Sequence, residues 1–472
     1  MSLALRMTSE LAGNIWRRRS RFWMKSSAGR LADFMGAASQ LPRRRAIPAE
    51  SRGQEVERMF DRGLNPKACV ARRHLPEKEN MNIRQSPFPR AQRFLRHNFR
   101  GLPLFGLALA FVSCPTNGQP TDVTKAALDP KSVLTVMERV ADWQLANPSK
   151  HAPTEWTSGA GFTGIMALAG ISENPKYRDA MMAMGEGTNW QPGPRKYHAD
   201  DHCVGQTYLE LYRQKPDPKF ISPLRERFDF ILANPRQFST LDFTQKGIGD
   251  LWSWCDSLFM APPTWMRLYT ATGEKKYLEF AVTNWWRTSD YLYDQEEHLY
   301  FRDSTYFAKR EANGQKVFWS RGNGWVMAGL ARVLQHLPKD HPSRLRFEQQ
   351  FRELAAKILT CQQPDGLWRA SLLDPASYPL KETSGSGFYT FALAWGVNEG
   401  LLEKRKFEPA VLKAWAALTA CVDPDGKLTH VQPIGADPKK FDENATEIYG
   451  VGAFLLAGSE VHRLAKRPSK LP

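Results

Sequence analysis

The chain has 472 residues, 42% of them hydrophobic, enough for one large domain or two medium ones. A formal charge of +16 suggests a nucleic-acid or membrane partner, but its location excludes that reading. Residues 1–118 carry 22 Lys+Arg against 8 Asp+Glu, and the 43 against 41 that remain leave the rest at +2.

Residues 1–80 are Arg-rich, with runs at Arg17-Arg18-Arg19 and Arg43-Arg44-Arg45 and no sustained periodicity. They read as an extension from a mis-assigned start, or as a disordered basic arm. Met81 heads a second pattern: a basic stretch holding Arg84, Arg90, Arg93, Arg96 and Arg100, then an apolar run over 101–113. That run is too short to span a bilayer but has the length of a signal-peptide core. Residues 81–118 are therefore expected to be a signal peptide. Its end, Phe111-Val112-Ser113-Cys114, resembles a bacterial lipoprotein processing site, apart from Phe111 where Leu is usual. Simple cleavage and lipid anchoring on Cys114 both remain open. Either predicts an exported protein, periplasmic or membrane-anchored, of a bacterium. A polar linker over 119–128 leads into one domain, 129–467.

Within that domain helical periodicity recurs about a dozen times, near 130–146, 159–171, 174–185, 201–213, 220–233, 255–272, 276–292, 322–336, 343–362, 385–401, 406–421 and 445–464. The connections are rich in Gly, Pro, Asp and Asn. Strand-like alternation is confined to pieces such as Leu299–Arg302 and Leu367–Leu372. A unit also repeats. Ala355–Cys361 leads into Pro364-Asp365-Gly366, Ala416–Cys421 leads into Pro424-Asp425-Gly426, and Tyr291–Phe301 carries a looser version. Helix, turn and short hairpin repeated around a ring make an all-α toroid with short β-hairpins in its loops. Cys203, Cys255, Cys361 and Cys421 form neither a disulfide framework nor a CxxC zinc pattern, so no metal is expected.

Thirteen of the fifteen Trp lie between Trp143 and Trp415. Several, including Trp156, Trp319 and Trp325, stand at helix starts or in loops, where flat rings line a concave end and stack on sugars. Four segments carry chemistry. In Tyr197–Gln206, two carboxylates (Asp200, Asp201) and two imidazoles (His198, His202) precede a helix. Capping explains one Asp but not the whole set. In Leu251–Met260, Asp256 is a lone carboxyl between Trp254-Cys255 and Leu258-Phe259-Met260. Apolar surroundings raise a carboxyl pKa and suit it to proton donation. In Phe318–Trp325, two glycines allow close backbone approach, and Arg321 has no acidic neighbour in sequence. It can grip a substrate carboxylate or bond helix-end carbonyls. In Lys381–Gly387, Ser384 and its neighbours can cap a helix or bond sugar hydroxyls.

Taken in order, the Asp200/Asp201 helix start, the Asp256 helix start, Trp319-x-Arg321-Gly-Asn-Gly-Trp325 and Glu382-Thr-Ser-Gly-Ser resemble the unsaturated rhamnogalacturonyl hydrolases of glycoside hydrolase family 105, related to the family 88 unsaturated glucuronyl hydrolases. The resemblance covers about 126–467. It implies the (α/α)6 barrel, no metal and no cofactor. The implied substrate is an oligosaccharide of pectin type bearing a Δ4,5-unsaturated uronic acid left by a lyase, whose double bond is hydrated. By this resemblance Asp256 is the acid/base, and Asp200, with Asp201 as rival, the assisting carboxylate. Trp319, Arg321 and Trp325 would surround the unsaturated sugar; from the residue reading alone, His198, His202, Trp156 and Ser384 are further expected substrate contacts. One departure stands out. Some members carry a substrate-contacting His before the Trp-x-Arg string, whereas here the segment is Leu299–Tyr306, with Arg302 and Asp303 in place to take that contact. No nucleic-acid partner is expected, a membrane is met only through a lipid on Cys114, and a monomer is expected. The alternatives are another toroid enzyme (inverting glycosidase, sugar epimerase or polysaccharide lyase) and a non-catalytic glycan-binding protein.

Overall fold

A computed structural model describes residues 129–466. The expected N-terminal extension, the signal peptide over 81–118 with Cys114, and the linker over 119–128 lie outside the described residues. The chain forms α1 (Pro130–Ala146), α2 (Trp156–Ala169), α3 (Lys176–Gly187), α4 (Gly205–Gln214), α5 (Ser222–Ala233), a one-turn α6 (Ser257–Met260) and α7 (Pro262–Thr272). Then come α8 (Lys275–Leu292), α9 (Ser320–Leu334), α10 (Arg344–Thr360), α11 (Thr383–Asn398), α12 (Lys404–Thr419) and α13 (Ile448–Ala465).

Two classes of helix are distinguishable by burial. In α9 and α11 every residue is buried, and α2 and α13 are buried on nearly all sides. Helices apolar all round belong inside a molecule. By contrast α1, α10 and α12 bury one stripe each, as in Phe347, Phe351, Leu354 and Ile358 of α10. Packing closes α2, α4, α7, α9, α11 and α13 into a ring, each adjoining the next and α13 returning to α2. The one-sided helices wrap outside it. This is the expected (α/α)6 toroid. All inner helices enter it at the same end, so their N-termini converge on one face.

The Pro-Asp-Gly turns hold successive units together. Gly366 and Gly426 both adopt left-handed backbone, φ 95° and 97°. A Cβ there would meet Lys413 O of α12 and Arg139 O of α1, each at 2.7 Å. Only glycine fits both the conformation and the contact. In the looser third copy, His298 takes the left-handed position at φ 53°.

Two expectations need correction. The helix expected over 255–272 breaks at Ala261 into α6 and α7, because Pro262 and Pro263 supply no N–H to continue its ladder. The strand expected over Leu367–Leu372 reduces to isolated bridges, Trp319 with Ser371 and Trp368 with Glu382. The Leu299–Arg302 piece does pair: β1 (Tyr293–Asp294) runs antiparallel to β2 (Leu299–Tyr300).

Candidate active site

Asp256 stands at the N-cap position of α6, yet its side chain makes no capping hydrogen bond. The segment before it is strained: Trp252 has φ 58°, held there by Thr288 Oγ1, which donates to Trp252 O at 2.7 Å. Cys255 N donates to Arg302 O at 2.8 Å, tying this turn to the β2 segment. The Cys255 thiol donates to Asp256 Oδ1 at 3.2 Å. Gly322, in the Trp-x-Arg-Gly string, leaves the space beside them open, since a Cβ there would stand 3.0 Å from Cys255 Sγ and 3.6 Å from Asp256 Oδ1. Burial raises the Asp256 carboxyl above its ordinary pKa, against the pull of Arg302, the thiol and Arg321.

Asp200 belongs to a 3-10 turn over Ala199–His202 that leads into α4. Its pKa is raised to about 7, first by burial; Arg195 opposes this, and the charges of Asp256 and Asp201 add to it. The charge of Asp256 thus reaches Asp200, which lines a cleft of about 330 Å³ together with His198, Trp254, Phe243, Arg195 and Arg302 among others. His198 lies against Trp254, ring centroids 4.7 Å apart, with Nδ1 3.5 Å from Asp200 Oδ2. Burial first, then Arg195, lowers its pKa to about 4, which leaves it neutral at ordinary pH.

Arg302 is the residue that sequence reasoning placed only as a substitute. It lies over the Phe243 ring at 4.7 Å and donates from NH1 to Asp303 Oδ2 at 2.6 Å. Its Nε is buried without a partner. Asp303 is occupied in turn, since its other oxygen accepts from Thr305 N and Thr305 Oγ1. The only sequence signal for Arg302 was the missing His of the resembled family.

Several predicted site residues are placed elsewhere. Asp201 is buried and bonded to Arg195 through the backbone N, Nε and NH2, with NH2 to Oδ1 at 2.7 Å. It anchors the turn that presents Asp200. His202 is 1% exposed, with Nε2 bonded to Lys196 O and Nδ1 receiving the Trp265 indole N–H. It is a core imidazole, not a substrate contact. Ser384 is buried and donates to Glu382, whose carboxylate caps α11 through Ser384 N and Gly385 N. Trp325 is fully buried against Phe388, Phe259 and Trp156. Trp319 is buried with its indole N–H on Gln432 Oε1 at 2.8 Å. Neither offers a stacking face. Trp156 remains half-buried, stacked on Tyr449 with centroids 5.4 Å apart.

The open guanidinium fork expected at Arg321 is also corrected. Its NH1 donates to Gln432 O at 2.6 Å and its NH2 to Pro433 O at 2.9 Å, and it lies between the rings of Trp319 and Tyr449. The alternative carbonyl-bonding role is the one seen, although to a distant loop and not to a helix end. Only its Nε is buried and unpartnered, and its charge still reaches Asp256. No group of three or more His, Cys, Asp or Glu suited to a metal occurs among the described residues.

Comparison with known proteins fits this site. The family model for Glycosyl Hydrolase Family 88 matches residues 131–465. A protein of Formosa agariphila named unsaturated 3S-rhamnoglycuronyl hydrolase is 42% identical over 339 residues, covering 70% of this chain and 90% of the relative. Among solved structures, one described as glycosyl hydrolase family 88 from Bacteroides vulgatus is 32% identical with TM-score 0.64, covering 71% of this chain and 99% of that one. Another, described as a polysaccharide lyase, is 33% identical with TM-score 0.66, covering 73% and 99%.

Proposed function

The chain belongs to glycosyl hydrolase family 88, and from that premise we propose that it removes a Δ4,5-unsaturated uronic acid from the non-reducing end of lyase-generated pectin-type (rhamnogalacturonan) oligosaccharides by hydrating the C4=C5 bond. The observation that carries the proposal is the uncapped Asp256 carboxyl in its apolar setting, near enough to Asp200 for its charge to help raise that second carboxyl. The name of the Formosa agariphila relative favours a unit in which the unsaturated uronate is joined to rhamnose.

Protonated Asp256 delivers its proton to C4, and the positive charge that develops at C5 is shared by the ring oxygen. Water adds to C5 and gives its proton to the carboxylate pair. The resulting hemiketal opens by breaking the bond from C5 to the ring oxygen, giving a C5 ketone and a hemiacetal at C1; that hemiacetal collapses to the aldehyde and releases the neighbouring sugar, whose oxygen takes up the hydroxyl proton. Asp200, with a pKa near neutrality, holds that water and takes up the proton between turnovers. Nothing attacks the anomeric carbon, so the spacing rules of ordinary glycosidases do not apply. Arg302, with the Arg321 charge behind it, makes the cationic side on which the uronate carboxylate is received. The convergent N-termini of the inner helices favour the same anion. Residues 81–118 support an exported protein, with Cys114 as the lipid site if one is used.

The test follows the ultraviolet absorbance of the conjugated double bond during incubation with lyase-generated oligosaccharides. Hydration removes that absorbance as sugar is released. Sugar release with the absorbance retained would falsify the proposal and point to an inverting glycosidase. Absorbance gained from intact polymer would point to a lyase, the description one similar structure carries.

A further inference from the structure

A cavity of about 800 Å³ lies at the opposite end of the barrel from Asp256. The last turns of the inner helices line it: Arg213 of α4, Thr270 of α7, Arg332 of α9 and His462 of α13 are on its wall. Its charges do not balance. Arg463 is matched by Glu399 and Glu460. Arg267 and Arg332, both buried, share a single carboxylate oxygen: Glu210 Oε1 accepts from Arg267 Nε at 3.0 Å and Arg332 NH2 at 2.7 Å. Exposed Arg213 adds a third cation to the same group.

One carboxylate against two buried guanidiniums, with an exposed third beside them, leaves buried positive charge short of a counter-ion, which is a costly arrangement. Its effects reach the neighbours. Arg267 is lowered to about 9, first by burial and then by Arg332. His336, its Nδ1 3.0 Å from Thr270 Oγ1, is driven to about 2 by burial and then by Arg267, Arg332 and Arg213. Helix C-termini carry partial negative charge and can attract cations. Arg267 and Arg332 do not serve that purpose: their remaining bonds go to Pro263 O, near the start of α7, and to Gln206 Oε1, near the start of α4. The cavity is thus a preformed cationic recess with room for a ligand.

We infer that this recess is a second binding site, separate from the catalytic cleft, for a small oxyanion carried by inorganic sulfate or by a uronic-acid carboxylate. The anion completes the Arg213–Arg267–Arg332–Glu210 cluster, and because it binds the folded state alone it stabilises the barrel.

Thermal melting of the whole chain tests this, with sodium sulfate and sodium glucuronate each compared with sodium chloride at equal ionic strength. A saturable rise in Tm of about 3 °C or more is expected with at least one of the two oxyanions. Arg213→Gln, at the exposed rim and far from Asp256, folds and turns over substrate as the native chain does but loses at least about half of the shift. Sulfate and glucuronate arms identify which source supplies the anion. A shift that chloride matches, that never saturates, or that Arg213→Gln leaves whole overturns the inference. An undiminished shift lost instead in Arg302→Gln would place the anion in the catalytic cleft and equally overturn it.

Discussion

The Cys255 thiol donates to Asp256 Oδ1 at 3.2 Å, on a backbone held by the Cys255 N to Arg302 O bond and beside the space that Gly322 leaves open. Burial keeps the thiol protonated, its pKa raised well above 9. Oδ1 of Asp256 thus accepts from the thiol, which makes Oδ2 the candidate to carry a proton to substrate. A donor on the ionised carboxyl lowers its pKa. Cys255→Ala therefore raises the Asp256 pKa and moves the alkaline limb of the pH–rate profile upward, while Cys255→Ser restores a donor and returns the limb toward the native position. A limb that stays fixed in both variants means that Cys255 only fills space.

Asp256→Asn keeps the shape of the side chain and removes the transferable proton. A loss in kcat of about 10²–10⁴-fold with KM little changed is expected from steady-state rates. Near-native kcat would move the acid role to Asp200.

Asp200 titrates near 7 in the fold against an ordinary value of 3.8. The folded state then binds more protons than the unfolded state between those values, so stability falls as pH rises from about 4 to beyond 7. Asp200→Asn removes that loss. It melts higher than the native chain at pH 8 and close to it at pH 4. The same change withdraws a negative neighbour from Asp256, so the alkaline limb of the residual activity moves to lower pH. Equal melting differences at both pH values would show that Asp200 is ionised throughout.

Asp201 differs from Asp200 although the two adjoin. Its carboxylate is spent on Arg195 and its neighbourhood is closed, Gly193 packing directly on its side chain. Asp201→Asn lowers Tm by several degrees, consistent with about 1–3 kcal/mol for a weakened buried charge-assisted bond. It reduces kcat less than Asp256→Asn does. The opposite ranking would make Asp201 the working carboxylate.

The helices, the ring and the buried setting of Asp256 were legible because they rest on local signals: periodicity, repeated turns and apolar neighbours within ten residues. Asp200 and Asp201 could not be separated, since the difference depends on Arg195, which sequence gives no reason to pair with one and not the other. Trp319 and Trp325 were misplaced because a helix start usually means a surface, whereas here it opens into the interior of a ring whose inner helices are buried on every side. Arg321 was misread because its partners, Gln432 and Pro433, are more than a hundred positions away.

That misreading separates two arginines by experiment. Arg302 lines the cleft, is bonded to one carboxylate through NH1, and keeps a buried Nε without a partner. Arg321 spends NH1 and NH2 on two carbonyls and stacks between two rings. Loss of a charge-assisted bond to substrate costs about 1.5–3 kcal/mol, or roughly 10–100-fold. Arg302→Gln should therefore raise KM by that factor for the unsaturated uronide while leaving Tm within a few degrees. Arg321→Gln leaves two carbonyls short of donors and the Trp319–Tyr449 sandwich empty, so its main effect is a lower Tm, with a smaller rise in KM through the lost field at Asp256. Titration of a saturated uronide as competitive inhibitor reads the carboxylate contact without the chemistry. It should bind Arg302→Gln far more weakly than Arg321→Gln, and the reverse order would return the clamp to Arg321.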